Sequence, residues 1–206
     1  MSPLTPPLTP SLTTLVIASG NAGKIREFAT LLADLELEVR PQPEGLEVEE
    51  TGSSFAANAR IKAEAVARAT GCWALADDSG LAVDALDGAP GVFSARYAPS
   101  DAERIARLLR ELEALAAAGG ERSARFTAAL AVADPSGAIR LEVEGHCPGE
   151  ILEAPRGSGG FGYDPVFYVP EAGLSFAEMD KATKGRIGHR GRAFALLEPA
   201  LRTLLA

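Results

Sequence analysis

Cysteine is scarce in this chain: Cys72 and Cys147 are the two in 206 residues. They show no Cys-x-x-Cys spacing, so neither a zinc site nor a dithiol redox motif is expected, and reduced thiols in a cytoplasmic protein are the simple reading. No apolar run reaches membrane-spanning length, so no membrane partner is expected. Basic residues are in the minority, 20 against 28 acidic, with a formal net charge of −8. A chain of that sign repels a DNA or RNA backbone unless a local basic patch overrides it, and the sequence holds no such patch. A nucleic-acid polymer is therefore not an expected partner. A single nucleotide is different, because a few placed lysines and a metal ion can bind it inside an acidic protein.

What is present is enough apolar material for a sizeable core: 47% of residues are hydrophobic and 23% charged. Disorder is not the default at that balance, and the length fits one domain. Residues 1–12 are rich in Pro, Thr and Leu and lack the basic start and long apolar stretch of a signal peptide. Residues 1–13 are read as a flexible N-terminal tail, and residues 14–206 as the domain.

Strands and helices alternate along that domain. Leu15 to Ala18 is a short apolar run that reads as a buried strand. Lys24 to Asp34 shows helical spacing, with Ile25, Phe28, Leu31 and Leu32 on one face. Gly20 to Gly23 is then a strand-to-helix turn. Leu37 to Val39 reads as a second strand, and Pro41 to Glu50 as a loop. Ser53 or Ser54 caps a helix running to about Thr70. Trp73 to Ala76 is a strand expected to end at Asp77-Asp78. A helix over Asp101–Ala118 is stopped by Gly119-Gly120. Arg125 to Ala133 and Ala138 to Gly145 flank Asp134-Pro135-Ser136-Gly137 as an antiparallel hairpin. A glycine-dense stretch, a strand over Val166–Val169 and a final helix over Arg190–Leu204 complete the order. The pattern predicts an α/β fold with a mixed sheet.

Four segments carry chemistry. Ser19-Gly20-Asn21-Ala22-Gly23-Lys24 is a small-residue turn ending in a lysine. Glycines allow close backbone approach and positive φ, helix-start N–H groups carry partial positive charge, and Lys24 adds a point charge, so the turn suits phosphate. It is not a GxxxxGK[ST] loop, and a tight turn with a solvated lysine is the plainer alternative. Asp77-Asp78, read as a turn at a strand end, is the second. Two adjacent carboxylates repel unless a cation compensates, and their oxygens suit Mg²⁺. Glu49 and Glu50, before Thr51-Gly52, could complete that site; a charged loop is the plainer reading for them.

The third segment runs from Arg156 to Pro165 and holds Phe161-Gly162-Tyr163-Asp164. Its glycines beside two aromatics suit a backbone shaped around a flat ligand such as a purine. The fourth is Lys184 with His189-Arg190-Gly191, whose side chains are donors for a carbonyl oxygen. A Ser-His-Asp hydrolase would compete, but no GxSxG elbow is present.

Taken together, these segments resemble the Ham1-like inosine triphosphate pyrophosphatases, over roughly Leu15 to Leu204. The resemblance rests on residues 18–24 (ASGNAGK), 49–52 (EETG), 76–81 (ADDSGL), 88–97 (GAPGVFSARY), 159–167 (GGFGYDPVF) and 189–191 (HRG). It implies a central mixed sheet flanked by helices, two lobes with a cleft between them, and a homodimer. It also implies Mg²⁺-dependent hydrolysis of ITP, dITP and XTP to the monophosphate and pyrophosphate. Substrate contacts then fall on Ser19, Gly20, Asn21, Ala22, Gly23, Lys24, Lys62, Ser79, Phe161, Gly162, Tyr163, Asp164, Lys184, His189 and Arg190. Asp78 is the implied proton acceptor, and Asp77, Asp78 and a glutamate, Glu49 or Glu50, hold metal. The Maf-like nucleotide pyrophosphatases are a neighbouring reading, and Phe161–Asp164 with His189-Arg190-Gly191 favour the Ham1 side.

Overall fold

The computed structural model describes residues 13–116 and 121–205. The expected tail, but for Thr13, and the Gly119-Gly120 stop lie outside the described residues. The elements run β1 (Thr13–Ala18), α1 (Ala22–Leu31), β2 (Leu37–Pro41), α2 (Phe55–Thr70), β3 (Trp73–Val83), α3 (Asp101–Ala116), β4 (Ser123–Ala133), β5 (Ile139–Ile151), β6 (Phe167–Val169), β7 (Leu174–Ser175), α4 (Lys181–Ile187) and α5 (His189–Leu205). A 3-10 helix, Gly91–Arg96, lies between β3 and α3.

One seven-stranded sheet has the order β2-β1-β3-β4-β5-β6-β7. β1 pairs parallel with β2 and β3, and every pairing from β3 onward is antiparallel. This is the mixed α/β sheet expected from the strand pattern. The chain leaves β1 through α1 in one direction and returns through α2 in the other. The crevice at the carboxyl end of β1, beside the middle of β3, is therefore a topological switch point, the usual seat of a ligand in open α/β sheets.

The helices are specified locally. Asn21 caps α1 by accepting from the N–H groups of Gly23 and Lys24. Ser54, rather than Ser53, caps α2, and Gly71 at φ 64° closes it in the left-handed conformation. Ala59, Ala63 and Ala67 of α2 are buried with Ala74 and Ala76 of β3 and Ala129, Ala131 and Ala133 of β4. With methyl groups on both sides, the helix packs close to the sheet. On the opposite face, larger residues fill the gap: Phe28 and Leu32 meet Leu75, Leu130, Phe194 and Leu197. A third apolar centre, around Phe126, Phe167 and Phe176, lies toward the far end of the β4–β5 hairpin. Among the described residues no helix is long and apolar enough to cross a membrane.

The structure changes one expectation that matters for the site. Asp77 and Asp78 do not sit on a turn. β3 continues through them to Val83, because β4 pairs antiparallel with it from Ala74 to Val83. Only the parallel partner stops there: β1 ends at Ala18, opposite Ala76. The two aspartates thus lie inside a strand, one residue past the end of β1.

Candidate active site

Consecutive strand residues face opposite sides of a sheet. Asp77 pairs with Leu130, which packs on the α1/α5 side, and Asp78 with Ala129, which packs on the α2 side. Their partners divide accordingly.

Asp78 meets α2. Its Oδ1 lies 3.0 Å from Lys62 Nζ and its Oδ2 accepts from Asn58 Nδ2 at 3.1 Å. Asn58 and Lys62 are four residues apart, so one helical face supplies both. Lys62 Nζ also lies 2.6 Å from Glu50 Oε1, whose other oxygen takes Arg96 Nη1 at 2.8 Å. Gly52 N donates to Asn58 Oδ1 at 2.8 Å, which draws the Glu-Glu-Thr-Gly segment onto the helix. Burial pushes the Asp78 pKa up, more than Lys62 pulls it down. Burial alone would lower the Lys62 pKa, but Asp78 and Glu50 outweigh it and raise it. Glu49, by contrast, is exposed. Of the two glutamates, the fold brings Glu50 to Asp78.

Asp77 meets α1 and α5. Its Oδ2 lies 2.7 Å from Lys24 Nζ and 3.3 Å from Arg190 Nε, and accepts from Ser79 Oγ at 3.1 Å. Burial opposes ionisation, yet Arg190 and Lys24 hold this carboxyl far below the usual range. Burial in turn lowers the Lys24 pKa. Arg190 also reaches Glu27 Oε2 at 2.8 Å and Ser79 Oγ at 2.6 Å. Lys184 joins the same chain of charges, 2.9 Å from Glu27 Oε1 and 2.7 Å from Asp164 Oδ2.

Beside this network opens a cavity of about 280 Å³, lined among others by Gly23, Phe161, Phe176, Lys184, His189 and Arg190. Arg190 Cζ lies 5.5 Å and Lys184 Nζ 5.1 Å from the Phe161 ring centroid. His189 stacks on Phe126 at 4.6 Å and near Phe176 at 5.8 Å. Burial first, and Arg190 second, press its pKa well below the usual imidazole value. A neutral ring offers one donor and one acceptor, and both of its nitrogens are buried without a partner among the described residues.

The sequence-predicted residues therefore gather around one segment of β3, in two compartments. Lys62, Glu50 and Asp78 form an acid pocket on the α2 side. Phe161, Lys184, His189 and Arg190 line the cavity on the other, and Lys24, Asp77 and Ser79 join the two. In the phosphate turn, Asn21 Oδ1 already takes the N–H groups of Gly23 and Lys24, at 2.8 and 3.1 Å. Neither Gly20 nor Gly23 has positive φ. What Gly23 provides is room: a Cβ there would stand 2.7 Å from the Phe161 ring. Tyr163 does not line the cavity. Its ring belongs to the apolar core, and its hydroxyl donates to Ser94 O at 3.0 Å. Asp164 closes the loop on itself by accepting from Phe161 N at 2.8 Å.

Glu27, Asn58 and Arg96 escaped the sequence reading. Asn58 had a signal, its four-residue offset from Lys62. Glu27 had the same kind, one turn beyond Gly23 on α1. A divalent cation fits the acid pocket: Glu50 and Asp78 offer hard oxygens, and the Lys62 ammonium between them stands in for the positive charge that they require. Mg²⁺ takes one or two carboxylates together with phosphate oxygens, so two suffice. Among the described residues no group of three or more His, Cys, Asp or Glu is gathered at one point.

A model of the Ham1 family matches residues 15–200. The chain is 63% identical to the dITP/XTP pyrophosphatase of Parasynechococcus marenigrum, over 94% of this chain and 97% of that one. It is 56% identical to the dITP/XTP pyrophosphatase of Nostoc, over 93% and 96%. Among solved structures, a HAM1 protein from Coxiella burnetii superposes with a TM-score of 0.82 at 47% identity, covering 92% of this chain and 98% of that one. The Ham1 protein of Staphylococcus aureus gives 0.80 at 39% identity, covering 93% and 100%. By sequence and by fold, the chain belongs to the Ham1 family.

Proposed function

We propose that this chain is a nucleoside triphosphate pyrophosphatase that hydrolyses dITP, XTP and ITP to the nucleoside monophosphate and pyrophosphate, removing them from the nucleotide pool. One observation carries the reading: an acid pocket and an aromatic cavity meet at two adjacent residues of β3, with Lys24 between them. Relatives 63% and 56% identical bear the name dITP/XTP pyrophosphatase, which supports the substrate class.

Water attacks the α-phosphorus and pyrophosphate departs. Asp78 accepts the proton, and its burial makes it a stronger base than an exposed aspartate. Lys24, Lys62 and Lys184 exchange carboxylate partners for phosphate oxygens, which places positive charge where negative charge develops. Glu50 and Asp78 would hold Mg²⁺, which would supply positive charge against the phosphates and make water easier to deprotonate. Phe161 supplies a face for the base. His189, with backbone donors beside it, meets the 6-oxo group of hypoxanthine or xanthine. Adenine carries an amino donor at that position, and set against the backbone N–H donors it leaves both sides unpaired. A homodimer acting in the cytoplasm completes the reading, supported by the family resemblance.

The test is kcat/KM with Mg²⁺ on dITP, XTP, ITP and dATP, read as pyrophosphate release. An unpaired buried donor costs about 1–3 kcal/mol, so dATP is expected to be about 10- to 100-fold poorer. Equal efficiency on dITP and dATP refutes the donor argument, and absence of pyrophosphate refutes the function.

A further inference from the structure

The adjacent aspartates read from sequence as one metal-binding pair, but their surroundings differ. Asp78 shares its lysine with a second carboxylate, Glu50, whose side chain is 20% exposed. Among the described residues Asp77 faces two cations and no second acid, and its side chain is 1% exposed. Lys24 and Arg190 converge on its Oδ2, while Oδ1 is buried and has no hydrogen-bond partner among the described residues. Mg²⁺ keeps several of its waters, and a carboxylate with one oxygen held by an ammonium and a guanidinium and the other shut off from solvent presents no open face to a hydrated cation.

We infer that Asp77 is a positioning residue rather than a metal ligand: it ties the phosphate-side Lys24 and the base-side Arg190 to one carboxylate. Those two cations come from α1 and α5, on separate parts of the chain. The Asp77 carboxylate fixes the distance between them, and so registers the triphosphate against the purine. Ser79 braces the arrangement by donating to Asp77 Oδ2 and accepting from Arg190 Nη2. The inference rests on the function proposed above.

The experiment compares Asp77→Asn, Asp78→Asn and the unaltered chain by Mn²⁺ titration without nucleotide, followed by electron paramagnetic resonance. Asp77→Asn is expected to bind Mn²⁺ within threefold of the unaltered chain, and Asp78→Asn at least tenfold more weakly. With dITP, Asp77→Asn is expected to raise KM at least tenfold and to narrow the preference for dITP over dATP. A tenfold loss of Mn²⁺ affinity in Asp77→Asn overturns the inference. So does an unchanged KM with an unchanged preference. Should Asp77→Asn fail to fold with Lys24 unpaired and Arg190 left to Glu27 alone, Lys24→Gln/Asp77→Asn is compared with Lys24→Gln, and equal Mn²⁺ affinity is the expected result. Failure of the unaltered chain to turn over dITP refutes the proposed function instead, and the Mn²⁺ comparison still scores Asp77.

Discussion

Replacing Lys62 by methionine isolates the acid pocket. The change keeps the length of the side chain and removes the ammonium that separates Glu50 from Asp78. The side chains of Lys62, Glu50 and Asp78 are 12%, 20% and 9% exposed, so solvent screens them little. Breaking a buried ion pair by deleting one partner costs about 3–5 kcal/mol. Here Glu50 keeps Arg96 and Asp78 keeps Asn58, which moves the expected loss to about 2–3 kcal/mol. Magnesium should return much of it. A ligand at 100 times its dissociation constant stabilises the folded state by about 2.7 kcal/mol, and the variant no longer has an ammonium competing for the same oxygens. Urea denaturation at fixed pH and ionic strength, with and without Mg²⁺, measures both quantities. The metal-induced gain in Lys62→Met should exceed that of the unaltered protein by at least about 1 kcal/mol. Equal stability without metal, or an equal gain with it, would refute the reasoning.

Three further outcomes are expected. Asp78→Asn should fold and lose at least about 100-fold in kcat, the low end for a general base, measured as pyrophosphate release; near-normal turnover would remove Asp78 from the chemistry. Gly23→Ala puts a methyl group 2.7 Å from the Phe161 ring and should raise KM for dITP about tenfold while kcat holds within about threefold. His189 has a folded pKa depressed far below its unfolded value near 6.5. The unfolded chain takes up a proton that the folded one refuses, so the contribution of His189 is complete above that pH and falls by about 1.4 kcal/mol per unit below it. The stability difference between the unaltered protein and His189→Phe, followed by urea titration from pH 7 to pH 5, should show that slope, and a flat difference would contradict it.

Much of this architecture was legible in the sequence because local signals agreed with tertiary ones. Ser54 before an apolar 3.6-residue period marks α2, and Gly71 marks its end. Leu15 to Ala18, the buried part of β1, was short and wholly apolar, as a strand covered on both faces must be. The interior of β3 was hidden for a physical reason. Asp-Asp-Ser-Gly has the composition of a turn, and only Lys24, Arg190 and Lys62, distant in sequence, make two carboxylates tolerable inside a strand. The missed elements carry little signal of their own: β7 has two residues, and α4 is a seven-residue charged segment containing Gly185. In the site, the residue types were readable, but their division between two faces was not, because it follows from strand alternation once Asp77 and Asp78 are known to be extended. Arg96 was missed for a similar cause, since it acts by pairing with Glu50, far along the chain.

The most direct measurement is hydrolysis of dITP in ¹⁸O-labelled water with Mg²⁺, with mass analysis of both products. Attack at the α-phosphorus predicts dIMP carrying one labelled oxygen and unlabelled pyrophosphate. Label in the pyrophosphate, or release of orthophosphate with dIDP, would contradict the account.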